Sequence, residues 1–435
     1  MDKFTEKLES LLGPLVEKIN SNRYINAIKD GFFGAMSLLI IGSFFALLAN
    51  IPITGYAAFM TSIFGKGWSD FFNVPFNISM NIMTLYVVIS MARSLGKTYK
   101  LNSIECITSA LAGFLVLTPQ LALKGASGLT GIPTENLSSK GLFVGMITAV
   151  LAVEIVRFFE NRGWKIKMPD SVPANVATSF SSLIPTLMVI IIFNIIRAVF
   201  TLTSFDTVQT LIYHYLQIPL QSLGSSLPAI LLLTVFEVLL WSVGIHGSSI
   251  VGNVMFPIWI TATAENAKAY AAGQPLPHIF VNEFYSNFMK IGGFGATLGL
   301  AILLFFFAKS KQYKVLGRLA LAPGIFQINE PLIFGMPIML NPVMLIPFLI
   351  TPIVMALMTY VAMATGIVPY ANGTMLPWTT PPVVSGFLLS GWRGAALNVV
   401  QIFVSMAIYY PFFKVQDNIE FQKEQGQAEA EAKEA

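Results

Sequence analysis

The chain has 435 residues, 55% of them hydrophobic and 11% charged, with a formal net charge of +4. An ordinary soluble domain carries about 25% charged residues, so the composition excludes a soluble fold and indicates a polytopic membrane protein. The near balance of charge points to no nucleic-acid partner.

The first thirty residues are mixed in charge and lack a compact apolar core ending at a small-residue cleavage site. Insertion through internal helices is therefore expected. Phe4, Leu8, Leu11, Leu12, Leu15, Val16 and Ile19 recur at helical spacing among Glu and Lys, which predicts an interfacial amphipathic helix over 4–19. Apolar stretches follow at about 31–51, 75–95, 103–122, 140–160 and 178–202, each near the ~20 residues that cross a bilayer. Cys106, the only cysteine, falls in one of them, where a buried, inert thiol is expected. Residues 204–222 place Phe205, Val208, Ile212 and Tyr215 on one helical face beside Asp206, Gln209 and His214. This reads as a second surface helix joining two halves. Further apolar stretches at about 223–245, 247–265, 288–309, 341–365 and 391–413 bring the candidate spans to about ten.

The basic residues set an orientation. Arg93, Lys97 and Lys100, then Arg157, Arg162, Lys165 and Lys167, then Lys309, Lys311, Lys314 and Arg318, and finally Lys414 follow alternate spans. With a cytoplasmic N-terminus every cluster falls inside, and both termini are cytoplasmic. Residues 416–435 are rich in Glu, Gln, Lys and Ala, the composition of a disordered tail.

Two segments, 319–340 and 366–390, are too broken for crossing helices and too apolar for free loops. The first holds Asn329-Glu330-Pro331 with Gly335 and Pro337; the second holds Pro377-Trp378-Thr379-Thr380-Pro381-Pro382 with Gly386. Paired re-entrant hairpins around a polar site are expected. The fold class is thus all-α and polytopic, with about ten spans, two re-entrant hairpins and interfacial helices.

Glu330 is the strongest candidate for chemistry, because an ionisable residue at membrane depth needs a functional reason or an aqueous surrounding. His246, in Trp241-Ser242-Val243-Gly244-Ile245-His246-Gly247-Ser248-Ser249, can donate to and accept from an opened backbone; the alternative is a histidine satisfied by a carbonyl near the interface. Glu237 lies about 180° from His246 on a continuous helix, so a shared site requires a break near Gly244. Glu105, Glu154 and Arg197 lie towards span ends, where snorkelling or structural pairing is usual. Trp241 and Trp378 offer either stacking faces for sugars or interfacial anchors. No Walker loop, His/Cys metal cluster, nucleophile elbow or Rossmann glycine pattern is present, so neither a metal nor another cofactor is expected.

Phe326 to Pro342, with its Asn-Glu-Pro, Phe-Gly-Met-Pro and Asn-Pro elements, together with Gly244-Ile245-His246-Gly247, resembles the IIC permease of the bacterial phosphoenolpyruvate-dependent sugar phosphotransferase system. The resemblance is to the lactose/cellobiose/diacetylchitobiose branch. It implies residues 1–203 as a homodimerising half, 204–222 as an amphipathic linker and 223–415 as the sugar-transporting half, in the bacterial cytoplasmic membrane. It further implies elevator-type carriage of a β-linked disaccharide, diacetylchitobiose or cellobiose, and phosphorylation of its C6 hydroxyl by a separate IIB protein, with IIA, HPr and enzyme I upstream. Glu330 would accept the hydroxyl proton, His246 would orient the hydroxyl, Asn329 would add hydrogen bonds, and Trp241 and Trp378 would stack on the rings. The chain supplies no phosphocysteine of its own, Cys106 lying in the wrong half. The competing readings are a proton-coupled symporter in which Glu330 and His246 relay protons, and a membrane-embedded glycan-processing enzyme.

Overall fold

The computed structural model describes residue 14 and residues 17–51, 55–122, 130–169, 171–336, 338 and 341–434. Most of the amphipathic helix expected over 4–19, and Pro337 of the first hairpin, lie outside these residues; residues 17–20 are helical.

The N-terminal half is a helical bundle. Helix α1 (Arg23–Ala49) starts at Asn22, whose side chain accepts from the Tyr24 and Ile25 amides. Helices α2 (Tyr56–Phe64) and α3 (Trp68–Ser79) follow, and α3 passes through a 3₁₀ turn at Met80–Ile82 into α4 (Met83–Thr98). Pro75 lies inside α3, and removing one ladder donor there prepares that break. Small residues let α1 lie against α3 and α4: a Cβ added at Gly31, Gly34 or Gly42 would fall 2.2 Å from Met91 Cγ, 2.4 Å from Ser90 Oγ and 1.7 Å from Ser79 Oγ. Within lipid this close van der Waals approach holds helices together. Helix α5 (Ser103–Leu117) leads through a two-residue antiparallel pair, Leu121–Ala122 with Thr130–Gly131, to α6 (Leu142–Asn161), α7 (Ala174–Ser181) and α8 (Leu183–Phe200). Cys106 is buried and free. Glu154 accepts from the Tyr24 and Tyr99 hydroxyls and pairs with Arg157 at 3.1 Å.

The linker is helical, and its buried side carries glutamines as well as the apolar residues expected. α9 (Val208–Ile212), a π turn at Tyr213–Gln217 and α10 (Ile218–Gly224) form one rod, bent 66° from α11 (Leu227–Ser242). Gln209, Gln217 and Gln221 are buried while Tyr215 is exposed. Val208, Ile212, Leu216 and Leu220 pack against the core, and Gln217 adds a hydrogen bond to the Ser139 carbonyl at 3.3 Å, so the rod docks through an apolar stripe flanked by buried glutamines.

The second half contains much irregular backbone. α11 ends at Val243, the chain turns at Gly244 (φ +81°), and α12 (Gly247–Ala271) begins. A Cβ at Gly247 would sit 2.5 Å from the Glu237 carbonyl oxygen, so only glycine permits this corner. The stretch expected to cross at 288–309 is helical only as a π turn at Phe284–Met289 and as α13 (Leu298–Phe307). Between them Gly292, Gly293, Gly295 and Ala296 have positive φ, a conformation that breaks a helix and that glycine adopts without penalty. Side chains satisfy the freed carbonyls: Tyr409 donates to Gly295 at 2.8 Å and Ser405 to Ala296 at 2.6 Å.

α14 (Lys311–Ile325), a turn with Gln327 at φ +64°, and α15 (Glu330–Gly335) make the first hairpin. α16 (Pro342–Ala364) then leads to an extended segment at 366–381 and to α17 (Pro382–Glu434), which breaks at Ser390 and Gly391. The Met375 amide donates to Ser43 Oγ at 2.9 Å and the Tyr270 hydroxyl to the Asn50 carbonyl, joining this half to α1.

The tail is a correction: residues 416–434 continue α17. Asp417, 3% exposed, accepts from the Lys309 and Ser310 amides and from Ser310 Oγ. Glu424 accepts from the Lys311 and Gln312 amides at 2.9 Å. The Gln312 and Lys311 N–H groups hold the Glu424 carboxyl below the usual carboxylate range. Both carboxylates satisfy the orphan donors that begin α14.

The molecule is an all-α polytopic membrane protein. Among the described residues six helices are long and apolar enough to cross a bilayer, seven if the bent rod and α11 count as one span, and α5 and α13 are shorter apolar helices. The difference from about ten full spans lies mostly in the second half. There, helices facing a cavity carry polar residues and breaks, which lipid-facing helices cannot.

Candidate functional site

A cavity of about 570 Å³ opens between α1, the α11–α12 corner, residues 282–294, the first hairpin's tip and the extended segment. Trp241, His246, Asn329, Glu330 and Trp378 all line it. Three separate breaks in regular structure bring them together, the Gly244 corner, the hairpin tip and the extended segment, since each residue sits at a helix end or in a loop.

Glu330 is the first residue of α15, and its Oε2 is buried without a hydrogen-bond partner among the described residues. A buried carboxylate oxygen left unsatisfied is costly, so this atom is placed to receive a donor from a ligand. His246 caps α12: its Nδ1 accepts from the Ser249 amide at 3.2 Å and lies 2.9 Å from Ser249 Oγ. Accepting at Nδ1 assigns the neutral ring's proton to Nε2, leaving Nε2–H as a donor. The His246 ring lies 4.4 Å from that of Trp241, whose buried Nε1 has no partner among the described residues. Trp378 is 58% exposed at the cavity's edge.

Asn329 is more structural than expected. Its amide donates to the Phe294 carbonyl at 2.6 Å and to Thr297 Oγ1 at 3.0 Å, locking the hairpin tip to the glycine loop. Its Oδ1 is the group left for a ligand. Gln327 likewise donates to the Thr380 carbonyl at 2.9 Å, joining the two broken segments.

The chain does break near Gly244, yet Glu237 stands one layer behind the cavity. It is fully buried, pairs with Lys290 Nζ at 2.9 Å and accepts from the Tyr285 hydroxyl at 2.5 Å. Lys290 also reaches Ser248 Oγ at 3.3 Å and lies 3.7 Å from the centre of the Tyr285 ring. Lys290, Tyr285 and Ser248 line the cavity, so Glu237 positions cavity residues. Sequence reasoning missed Lys290, although a lysine inside an apolar stretch is itself the signal for a buried partner. It also missed Lys29 and Asn282, both in the lining, and Glu283, a fully buried carboxyl held by Thr263 Oγ1 at 2.8 Å and by the Asn282 amide at 3.3 Å. Among the described residues no cluster of His, Cys, Asp and Glu is arranged to hold a metal ion. The cavity thus offers a carboxylate acceptor, an imidazole donor, two indoles and two ammonium groups, the complement for a polyhydroxylated ligand with apolar ring faces.

Comparison with known proteins gives a consistent picture. The family described as "Phosphotransferase system, EIIC" matches residues 29–352. The lichenan permease IIC component of Bacillus subtilis (strain 168) is 41% identical, with 98% of this chain and 96% of that protein covered. The cellobiose-specific EIIC component of Geobacillus stearothermophilus is also 41% identical, with coverage of 98% and 97%. Among solved structures, that of ChbC, the IIC component of an N,N'-diacetylchitobiose-specific phosphotransferase system, superposes with a TM-score of 0.90 at 39% identity. It covers 96% of this chain and 99% of the other.

Proposed function

Because the chain belongs to the phosphotransferase system EIIC family, we propose that it carries a β-linked disaccharide, cellobiose or diacetylchitobiose, and presents its C6 hydroxyl for phosphorylation by a separate IIB protein. The observation that carries this reading is the gathering of the unpartnered Glu330 carboxylate oxygen, His246 and two tryptophans in one cavity. The tryptophans cover the apolar C–H faces of the sugar. His246 Nε2–H donates to the C6 oxygen and fixes its lone pairs, while Glu330 Oε2 accepts the hydroxyl proton.

In the transfer the C6 oxygen forms a bond to the phosphorus of a phosphocysteine on IIB and the S–P bond breaks. The thiolate leaves on IIB, and the hydroxyl proton passes to Glu330. Orientation supplies much of the rate, because little covalent chemistry is asked of the permease. Residues 223–415 act as the carrier, moving as a largely rigid body against a homodimeric frame of residues 1–203. Both termini face the cytoplasm of a bacterial cell, where IIB, itself charged through IIA, HPr and enzyme I, meets the cavity.

The test uses membrane vesicles containing the full chain, phosphoenolpyruvate, the purified phosphotransfer proteins and labelled cellobiose or diacetylchitobiose. Sugar 6-phosphate should accumulate only with IIB present. Unmodified sugar accumulating on a proton gradient would replace this reading by symport, and turnover of sugar with no partner would make the chain an enzyme.

A further inference from the structure

Phosphorylation places a group of about −1.5 to −2 charge in the cavity, where Glu330 already stands. Two lysines line that cavity, Lys29 and Lys290. Lys290 is neutralised by Glu237 at 2.9 Å. Lys29 is not: its hydrogen bond goes to the neutral Asn26 Oδ1 at 3.5 Å, and among the described residues it has no ion pair. It lies on α1 at spacings of three, four and seven residues from Phe32, Phe33 and Met36, which also line the cavity, so the helix turns this ammonium to the same side. Part-buried at the cavity wall and without an ion pair among the described residues, this ammonium is available to an anionic ligand.

A second feature converges on the same space. α12 is 25 residues long and begins at the cavity wall, with Ser248, Ser249 and Gly252 in the lining. Its N-terminus presents the positive end of the helix dipole with the Gly247 and Ser248 amides, the Ser249 amide being held by His246 Nδ1.

We propose that the cavity contains a phosphoryl subsite, formed by Lys29 Nζ and the N-terminal turn of α12, which holds the 6-phosphate of the product before release. The inference deepens the permease reading and rests on it. It assigns the first half of the chain a direct part in handling the ligand, since Lys29 belongs to α1. As a compact point charge, its ammonium meets the phosphoryl oxygens in an apolar-walled space, where the attraction is stronger than in water. The subsite is a product site, so its loss falls on the phosphorylated sugar more than on the free one.

The experiment measures equilibrium binding of cellobiose and of cellobiose 6-phosphate to the full-length, detergent-solubilised protein and to Lys29→Gln and Lys29→Arg, at low and high salt. The wild type should bind the 6-phosphate with an affinity that falls as salt rises. Lys29→Gln should weaken the 6-phosphate about tenfold more than the free sugar, on the scale of one charge-assisted contact, and Lys29→Arg should recover most of the loss. Lys29→Met carries the same expectation if the glutamine variant does not purify folded. Equal weakening of both ligands, no weakening of either, or a wild type that binds cellobiose but not its 6-phosphate overturns the subsite and leaves the permease reading standing. A wild type that binds neither ligand, nor diacetylchitobiose, and forms no sugar phosphate in the vesicle assay removes the permease reading and the subsite together.

Discussion

Replacing Glu237 by glutamine strips the counter-charge from an ammonium that has little water to turn to. The Glu237 side chain is 0% exposed and that of Lys290 12%, with 2.9 Å between charged atoms. At an effective dielectric of about 20, their attraction is about 6 kcal/mol before desolvation is subtracted. Removing one member of such a pair costs about 3–5 kcal/mol, because the survivor stays buried and uncompensated. The glutamine retains an acceptor for the Tyr285 hydroxyl, which places Glu237→Gln near the lower end, about 3 kcal/mol. Lys290→Met should cost a comparable amount, since it leaves a buried carboxylate. The double variant has neither orphan, so its loss should fall short of the sum of the singles by about 2 kcal/mol or more. Thermal unfolding of the four proteins in one detergent measures this cycle. Singles that add in the double variant would refute the buried-pair argument and reduce Glu237 to an ordinary packed side chain.

Glu330→Gln should lower the rate of IIB-dependent sugar phosphorylation by about 10²–10⁴-fold, the scale of a lost general base. Sugar binding measured by titration should persist, and retained phosphorylation would remove Glu330 from its role. Trp378→Ala should raise the sugar dissociation constant by about three- to tenfold, as expected for one aromatic face; an unchanged constant would make this residue a rim anchor only. Asp417→Asn replaces the charged acceptor shared by three donors at 309–310, and at about 1–3 kcal/mol it should speed amide exchange across the start of α14. Exchange like that of the wild type would show that Glu424 alone holds this end.

The sequence carries the site's outline where breakers coincide with polar residues. Asn329-Glu330-Pro331 and the Gly244 corner are both such places, and both reach the cavity. It conceals Lys290 because the residues around it are as apolar as a crossing helix, and only backbone angles at Gly292, Gly293 and Gly295 reveal a loop. Asn329 is misjudged for a related reason. An amide cannot be apportioned between ligand and protein until the carbonyl it meets, that of Phe294, is placed. The tail misleads because Glu, Gln, Lys and Ala suit both solvated coil and helix, and the deciding partners of Asp417 and Glu424 lie more than a hundred residues away. The linker's buried glutamines escape a reading by apolar stripe alone, since the partners of two of them, the Ser139 carbonyl for Gln217 and Glu265 for Gln221, are distant in the sequence.

The contact between α1 and the second half has a consequence for movement. Its polar ties among the described residues are few: Ser43 with Met375, Tyr270 with Asn50, and further out Lys268 with Glu135 at 3.3 Å. Elsewhere the surface is rubbed smooth by rings, with Phe256 lying 5.5 Å from Phe32 and 6.4 Å from Phe33. Each tie is worth about 0.5–1.5 kcal/mol, so letting go of all of them costs about 3 kcal/mol. Taken alone, that term corresponds to a population of about one in 160 with all three ties released. Apolar rings trade one neighbour for another at little cost, so under the carrier mechanism proposed above the seam would act as a greased bearing with a light catch, and a bound sugar would have only a small bias to supply.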